Sequence, residues 1–203
     1  MSINTFFILA SRSRSRLSLL KKNKLNFIVI KPTCNEEFYK KKYLKKKYSP
    51  KKISLELSKM KAMSVSSENK NKLVIGSDTV IDYKNKMFDK AKNINLARKK
   101  IKKLSGKKHS IITSLVAYKN NKLVWSLTEK TTVKLRKLTD SDINKYLKQC
   151  GPKILNSVGC YQIEKTGPQI IEEIKGDFFN IMGFPLFPFL RFLINNKNKK
   201  NGY

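Results

Sequence analysis

Leu73-Val74-Ile75-Gly76-Ser77-Asp78-Thr79-Val80-Ile81 is the stretch on which the reading of the fold turns. Leu73 to Ile75 is a short, continuous apolar run, the pattern of a strand buried on both faces in a sheet flanked by helices. Gly76-Ser77-Asp78-Thr79 is read as a break at the carboxyl end of that strand, before Val80-Ile81 resumes an apolar stretch. In α/β proteins ligands gather at that end of strands. A carboxylate placed there beside a hydroxyl can coordinate Mg²⁺ or take a proton from water. A turn-forming Asp is the plainer alternative.

Upstream, Thr5 to Ala10 is a second buried-type run, and it ends in Ser11-Arg12-Ser13-Arg14-Ser15-Arg16 before Leu17, Leu19 and Leu20. This reads as strand, polar loop, helix, with hydroxyls, cations and a helix start able to face a phosphate. The loop is neither a Walker loop nor a dinucleotide fingerprint, and its spacing alone fits an ordinary basic turn. Phe27 to Ile30 is a strand stopped by Pro32, and the basic, aromatic-dotted segment from Phe38 to Tyr48 gets no assignment. Ser49-Pro50 opens a helix to Val65, with Ile53, Leu57, Met60 and Met63 or Ser64 at helical spacing.

Downstream, Leu96, Ala97, Ile101 and Leu104 mark a helix closed by Ser105-Gly106. Ser110 to Tyr118 and Leu123 to Leu135 are two antiparallel strands joined at Asn120-Asn121. Thr139 caps a helix carrying Ile143, Tyr146 and Leu147, which Gly151-Pro152 stops. A strand from Gln169 to Ile174 and a turn at Gly176-Asp177 follow, then a last apolar helix from about Pro185 to Leu193. The pattern is α/β with a mixed, curved sheet flanked by helices, and the hairpin argues against a purely parallel sheet.

The chain of 203 residues, 40% hydrophobic, is long enough for one good core, read as a single domain over 1–196 with a polar, basic tail at 197–203. Lys and Arg total 45 against 14 acidic residues, a net charge of +31 that directs attention to polyanions. Runs such as Lys40-Lys41-Lys42 and Lys45-Lys46-Lys47 read first as solvated faces. Cys34, Cys150 and Cys160 are odd in number and never paired as Cys-x-x-Cys, which fits a reducing compartment and buried apolar roles. With His109 the single histidine, a His-based metal site is excluded and any metal needs oxygen ligands. His109 itself reads as a hydrogen-bonded residue at a helix–strand corner, and Trp125, Tyr118 and the phenylalanines of 178 to 192 as core. No basic region precedes Thr5 to Ala10, and no run approaches the ~20 apolar residues of a membrane helix. A soluble cytoplasmic protein, with no membrane partner, is the expectation.

Leu9-Ala10-Ser11-Arg12-Ser13-Arg14-Ser15-Arg16-Leu17-Ser18-Leu19-Leu20 resembles the opening motif of the Maf family, LASxSPRRxxLL, and Gly76-Ser77-Asp78-Thr79-Val80 resembles its GADTV. Between them Cys34-Asn35-Glu36 resembles VDE and Lys61-Ala62 resembles KA; Leu104 to His109 then resembles LSGxxH. Gly159 to Glu164, Ile174 to Phe178 and Gly183 to Leu186 follow the closing blocks, so the likeness spans nearly the whole chain in the family's order.

The resemblance implies two lobes around a nucleotide cleft and a pyrophosphatase that hydrolyses nucleoside triphosphates, normal or modified, to the monophosphate and pyrophosphate with Mg²⁺ or Mn²⁺. The family is linked to clearing non-standard nucleotides before they enter nucleic acids and to control of cell division. Carried over by position, Asp78 matches the general base and, with Glu36, the metal site; Thr79 would contact the substrate. Lys61 and Arg16 match cations facing the triphosphate, Ser11 and Ser13 the phosphate-facing hydroxyls, and Lys90 the Lys of GKP. Arg14 and Ser15 replace the usual Pro and first Arg, and Glu164 stands where members specific for pyrimidine triphosphates carry Gln, which puts the preferred base in question. Analogy with similar proteins suggests a homodimer. The rival reading is a nucleic-acid-binding protein whose Phe38 to Tyr48 segment grips phosphates and stacks bases; the ordered motifs favour the enzyme.

Overall fold

The computed structural model describes residues 4–198. Strand β1 (Phe7–Ala10) is wholly buried, with β2 (Phe27–Ile30) parallel on one side and β3 (Val74–Tyr83) parallel on the other. β3 pairs antiparallel with β5 (Lys108–Lys119), β5 with β6 (Lys122–Leu135), and β6 with β7 (Ile171–Lys175). A short β4 (Lys86–Phe88) folds back on the far end of β3. The open sheet therefore runs β2-β1-β3-β5-β6-β7 with β4 off this path, parallel at one end and antiparallel at the other. Helices α1 (Arg14–Lys22), α2 (Glu36–Lys45), α3 (Pro50–Ser66), α4 (Ile94–Leu104), α5 (Asp140–Cys150), α6 (Phe178–Ile181) and α7 (Leu186–Asn198) flank it.

Gly76 to Thr79 does not break the strand, contrary to the sequence reading. β3 is continuous for ten residues because β5 pairs with it from Val74 to Asp82. What breaks is its other edge. β1 accompanies β3 only as far as Gly76, opposite Ala10, and β4 arrives only at Ile81. Residues 77 to 80 are thus held from one side and open on the other. Alternation sends Gly76 and Asp78 to the α3 face and Ser77 and Thr79 to the opposite one.

The unassigned basic segment is a helix. Asn35 caps α2 by accepting from the Phe38 N–H, Glu36 and Glu37 occupy the first turn, and Lys42 and Lys45 the last, all matched to the helix dipole. Tyr43 packs with Ile53 and Leu57 of α3, joined by Tyr39 and Tyr48. α3 itself starts at Ser49-Pro50 as read, but its buried face is rotated from the apolar stripe. Ile53, Ser54, Leu57, Ser58, Lys61, Ala62 and Val65 are inside, while Met63 is exposed. Small and polar residues win because this face meets Gly76 and Asp78: a Cβ on Gly76 would overlap the Ser58 carbonyl oxygen and press on Ala62.

The apolar core divides. One grouping gathers Ile101 and Leu104 of α4 with Ile143, Tyr146 and Leu147 of α5 and Val133 and Leu135 of β6. Two others lie against opposite faces of β1 and β3, one built with α1 and α7, the other with α3. Trp125 stacks on Phe192 at 4.7 Å between ring centroids, but Phe178 and Phe187 are exposed rather than core. β7 begins at Ile171, since Gly167-Pro168-Gln169 form a 3₁₀ turn in which proline has no N–H for a ladder. α7 continues to Asn198, so residues 197 and 198 of the expected tail are still helical; 199–203 lie outside the described residues.

A candidate active-site cleft at the open edge of the third strand

Asp78 sits on the open stretch of β3, nearly buried, and Lys61 approaches it from α3. Lys61 Nζ donates to Asp78 Oδ1 at 2.7 Å and pairs with Glu36 Oε2 at 2.8 Å, so one ammonium joins two carboxylates from three elements. Burial opposes the charge on Lys61, but Asp78 and Glu36 outweigh it, and its pKa stands above the ordinary lysine value despite repulsion from Arg16. Ser54, two turns before Lys61, donates to the Asp78 carbonyl at 2.9 Å and accepts from the Ser114 N–H at 3.1 Å, clamping the strand where β1 no longer does. Sequence reasoning missed Ser54, although its seven-residue spacing from Lys61 places both on one helical face.

On the opposite face Arg16 is buried and largely committed. Its Nε donates to the Gly183 carbonyl at 2.7 Å, one terminal nitrogen to Ser77 O at 2.9 Å and Ser11 Oγ at 3.3 Å, and the other to Thr79 Oγ1 at 2.8 Å. Burial lowers its pKa, against the pull of Asp78 and Glu36. Arg16, which also lines the cleft, thereby joins α1, β3 and the loop before α7. Ser11 is likewise buried, accepting from Arg16 and from the Ser13 N–H, and Ser13 caps α1. Thr79 also bonds Thr113 at 3.0 Å, and Thr113 donates to the carbonyl of buried Asn180, whose side chain donates to Ile111 O and Thr131 Oγ1. Asn180, another residue the sequence did not flag, pins α6 against β5 and β6.

A cleft of about 630 Å³ opens over these residues. Ser13, Arg16, Glu36, Lys61, Asp78, Thr79, Lys90 and Glu164 all line it; Ser11 lies behind Arg16. Lys90 and Glu164 are exposed and make no ion pair among the described residues. Lys40 of α2 lines it too and pairs with Asp89. Apolar side chains including Val80, Ile81, Phe88 and Ile163 complete the wall. His109 lies outside the charged centre and is hydrogen-bonded near the corner between α4 and β5, as its isolation in the sequence suggested, with Nε2 2.6 Å from Tyr161 Oη; burial lowers its pKa to about 4, so it is neutral at physiological pH.

No group of three or more His, Cys, Asp or Glu side chains converges among the described residues. Glu36 and Asp78 nevertheless suit a hard divalent ion of the Mg²⁺ kind, which takes one or two carboxylates and completes its shell with water and substrate phosphate. Each spends one oxygen on Lys61, leaving Glu36 Oε1 and Asp78 Oδ2. In the segment of the nucleic-acid reading, Tyr43 and Tyr48 stack on each other at 5.6 Å between centroids and Lys52 covers the Tyr48 ring, while Phe38 is exposed. Cys34, Cys150 and Cys160 are free thiols, and no described helix is long and apolar enough to cross a membrane.

A mixed sheet flanked by helices, with a cation-rich cleft over paired carboxylates where the first strand stops, defines an α/β protein shaped for a small anionic ligand. The chain belongs to the Maf-like protein family, whose sequence model matches residues 6–196. A protein named nucleoside triphosphate pyrophosphatase from Caulobacter vibrioides is 34% identical over 185 residues, 91% of this chain and 92% of that one. One named 7-methyl-GTP pyrophosphatase from Bartonella henselae is 39% identical over 183 residues, 90% of this chain and 91% of its own. A second bearing that name, from Rhizobium meliloti, is 33% identical over 183 residues, covering 90% and 92%.

Proposed function

We propose that this protein is a nucleoside triphosphate pyrophosphatase: water attacks the α-phosphorus, the bond to the bridging oxygen breaks, and pyrophosphate leaves from the nucleoside monophosphate. The observation that carries the reading is Asp78, held through Oδ1 by Lys61 at the open edge of β3 inside the cleft. Asp78, its Oδ1 held by Lys61, is the base that takes the proton of the attacking water. Lys61 keeps the carboxylate oriented and offsets its charge beside an incoming polyanion. Lys90, exposed in the cleft wall, receives the phosphates, and Arg16 holds Thr79 and the Gly183 loop in place around them. A divalent cation, Mg²⁺ or Mn²⁺, bound by Glu36 and Asp78, would supply charge neutralisation at the phosphate oxygens.

Glu164 at the rim bears on the base. An ionised carboxylate only accepts hydrogen bonds, so it favours a base edge that donates, as guanine does with adjacent N1–H and N2–H groups, over one needing a donor from the protein. The names of the relatives include both a general and a 7-methyl-GTP activity. The free thiols fit work in the reducing cytoplasm. Pyrophosphate release from a panel of normal and modified triphosphates, 7-methyl-GTP included, with Mg²⁺, Mn²⁺ or chelator, tests the proposal. Metal-dependent release, lost in Asp78→Ala, is expected; no release from any nucleotide would overturn it.

A further inference from the structure

Lys40 lies just over one turn into α2, and its Nζ pairs with Asp89 in the segment that follows β4. Both residues line the cleft, and the pair joins two of its walls. The partners differ in exposure: the Lys40 side chain is 28% accessible, that of Asp89 64%. Burial lowers the Lys40 pKa, Asp78 and Glu36 act to raise it and Lys100 and Lys61 to lower it, so its ammonium feels the charges of the centre besides pairing with Asp89.

The other cations of the cleft are mostly committed. Arg16 makes four hydrogen bonds inside the protein, and Lys61 is shared between Asp78 and Glu36. Lys41 pairs with Glu37 on the solvent side, both largely exposed. That leaves Lys90 and Lys92, both exposed in the cleft wall, for a triphosphate, which carries more negative charge than two lysines can match. A partly exposed ion pair is weak in water. A polyphosphate offers more charge and more acceptor oxygens than one carboxylate, so it outcompetes Asp89 for the ammonium.

We infer that Lys40 is a further phosphate-binding lysine of the cleft, held on Asp89 until the outer phosphates of a nucleotide, or pyrophosphate itself, draw it off. Asp89 is then a competitor that keeps the cleft from retaining its product. The inference rests on the pyrophosphatase reading for its substrate but is testable without turnover, because inorganic pyrophosphate is itself a probe.

The experiment compares wild type, Lys40→Ala, Lys40→Arg and Asp89→Asn as full chains, measuring KM and kcat for the best triphosphate and the Kd of inorganic pyrophosphate by calorimetry. Losing one charge-assisted contact is expected to raise KM and Kd about tenfold in Lys40→Ala. Lys40→Arg should recover most of that, and Asp89→Asn should lower both constants. A pair that only braces α2 against the β4 segment would move Lys40→Ala and Asp89→Asn in the same direction, and that result overturns the inference. So does an active wild type whose KM and pyrophosphate Kd are unchanged in Lys40→Ala, which leaves the pyrophosphatase reading standing. A wild type that turns over no nucleotide but binds pyrophosphate more tightly than Lys40→Ala sinks that reading and keeps the site. A wild type that neither turns over nor binds pyrophosphate sinks both.

Discussion

Arg16 Nε donates to the carbonyl oxygen of Gly183 over 2.7 Å, tying the first helix to the loop before the last one, 167 residues away in the chain. Gly183 adopts φ +88°, and a Cβ there would stand 2.9 Å from Thr79 Oγ1 and 3.4 Å from the guanidinium. Only a planar fork can reach Gly183, Ser77, Ser11 and Thr79 together. Arg16→Lys is therefore expected to cost about 2–4 kcal/mol of stability by urea unfolding, since several buried acceptors lose a charged donor. An unchanged midpoint would refute the strut role.

Asp78 and Lys61 should separate chemistry from stability. Asp78→Asn keeps the size of the side chain and removes the base, so turnover should fall about 10²–10⁴-fold. Lys61→Met leaves the Asp78 carboxylate, 8% exposed, without its cation and should cost about 3–5 kcal/mol. The double variant should regain part of that loss, because the buried charge goes with its partner. A purely additive result in a double-mutant cycle would show that the two do not interact.

His109 predicts the shape of the acid limb. Its pKa falls from 6.5 to about 4 on folding because burial disfavours the imidazolium. The unfolded chain therefore binds the extra proton first, and the stability associated with neutral His109 is complete above pH 6.5 and lost as pH drops towards 4. The gap corresponds to at most about 3 kcal/mol. His109→Gln, which keeps a partner for the Tyr161 hydroxyl, should flatten unfolding free energy across that window relative to wild type. Parallel pH profiles would contradict it.

Gly76 should tolerate nothing larger. Its backbone lies against the α3 turn at Ser58 and Ala62, so Gly76→Ala must push α3 away and carry Lys61 and Ser54 with it. Overpacking of this kind costs about 1–3 kcal/mol or more. Thermal unfolding and pyrophosphate release should both suffer, the second beyond what lost stability explains, because Lys61 moves off Asp78.

The buried strands, the hairpin and the capped helices were legible from periodicity and turn chemistry, because those signals are local. Ser49-Pro50, Thr139 and the apolar runs at 7–10 and 73–75 report their own conformation. The resemblance of the chain's motifs likewise brought Asp78, Lys61, Glu36 and Lys90 forward, and the structure places all four at one cleft. What the linear order could not convey is which partner each residue meets. Gly76 to Thr79 reads as a break because small and polar residues weaken a strand, yet β5 keeps it straight and the interruption passes to the β1 edge. Ser54 and Ser58 fall off the apolar stripe read for α3, and they are buried because the helix lies close against Gly76. Arg16 looks like a free cation, and only the approach of Ser77, Thr79 and Gly183 commits it to the scaffold. The sequence by itself determined the elements and the residue types available for phosphate chemistry. The tertiary structure decided which charges are spent holding the cleft together and which remain for a ligand, because a buried charge must satisfy its nearest neighbours first.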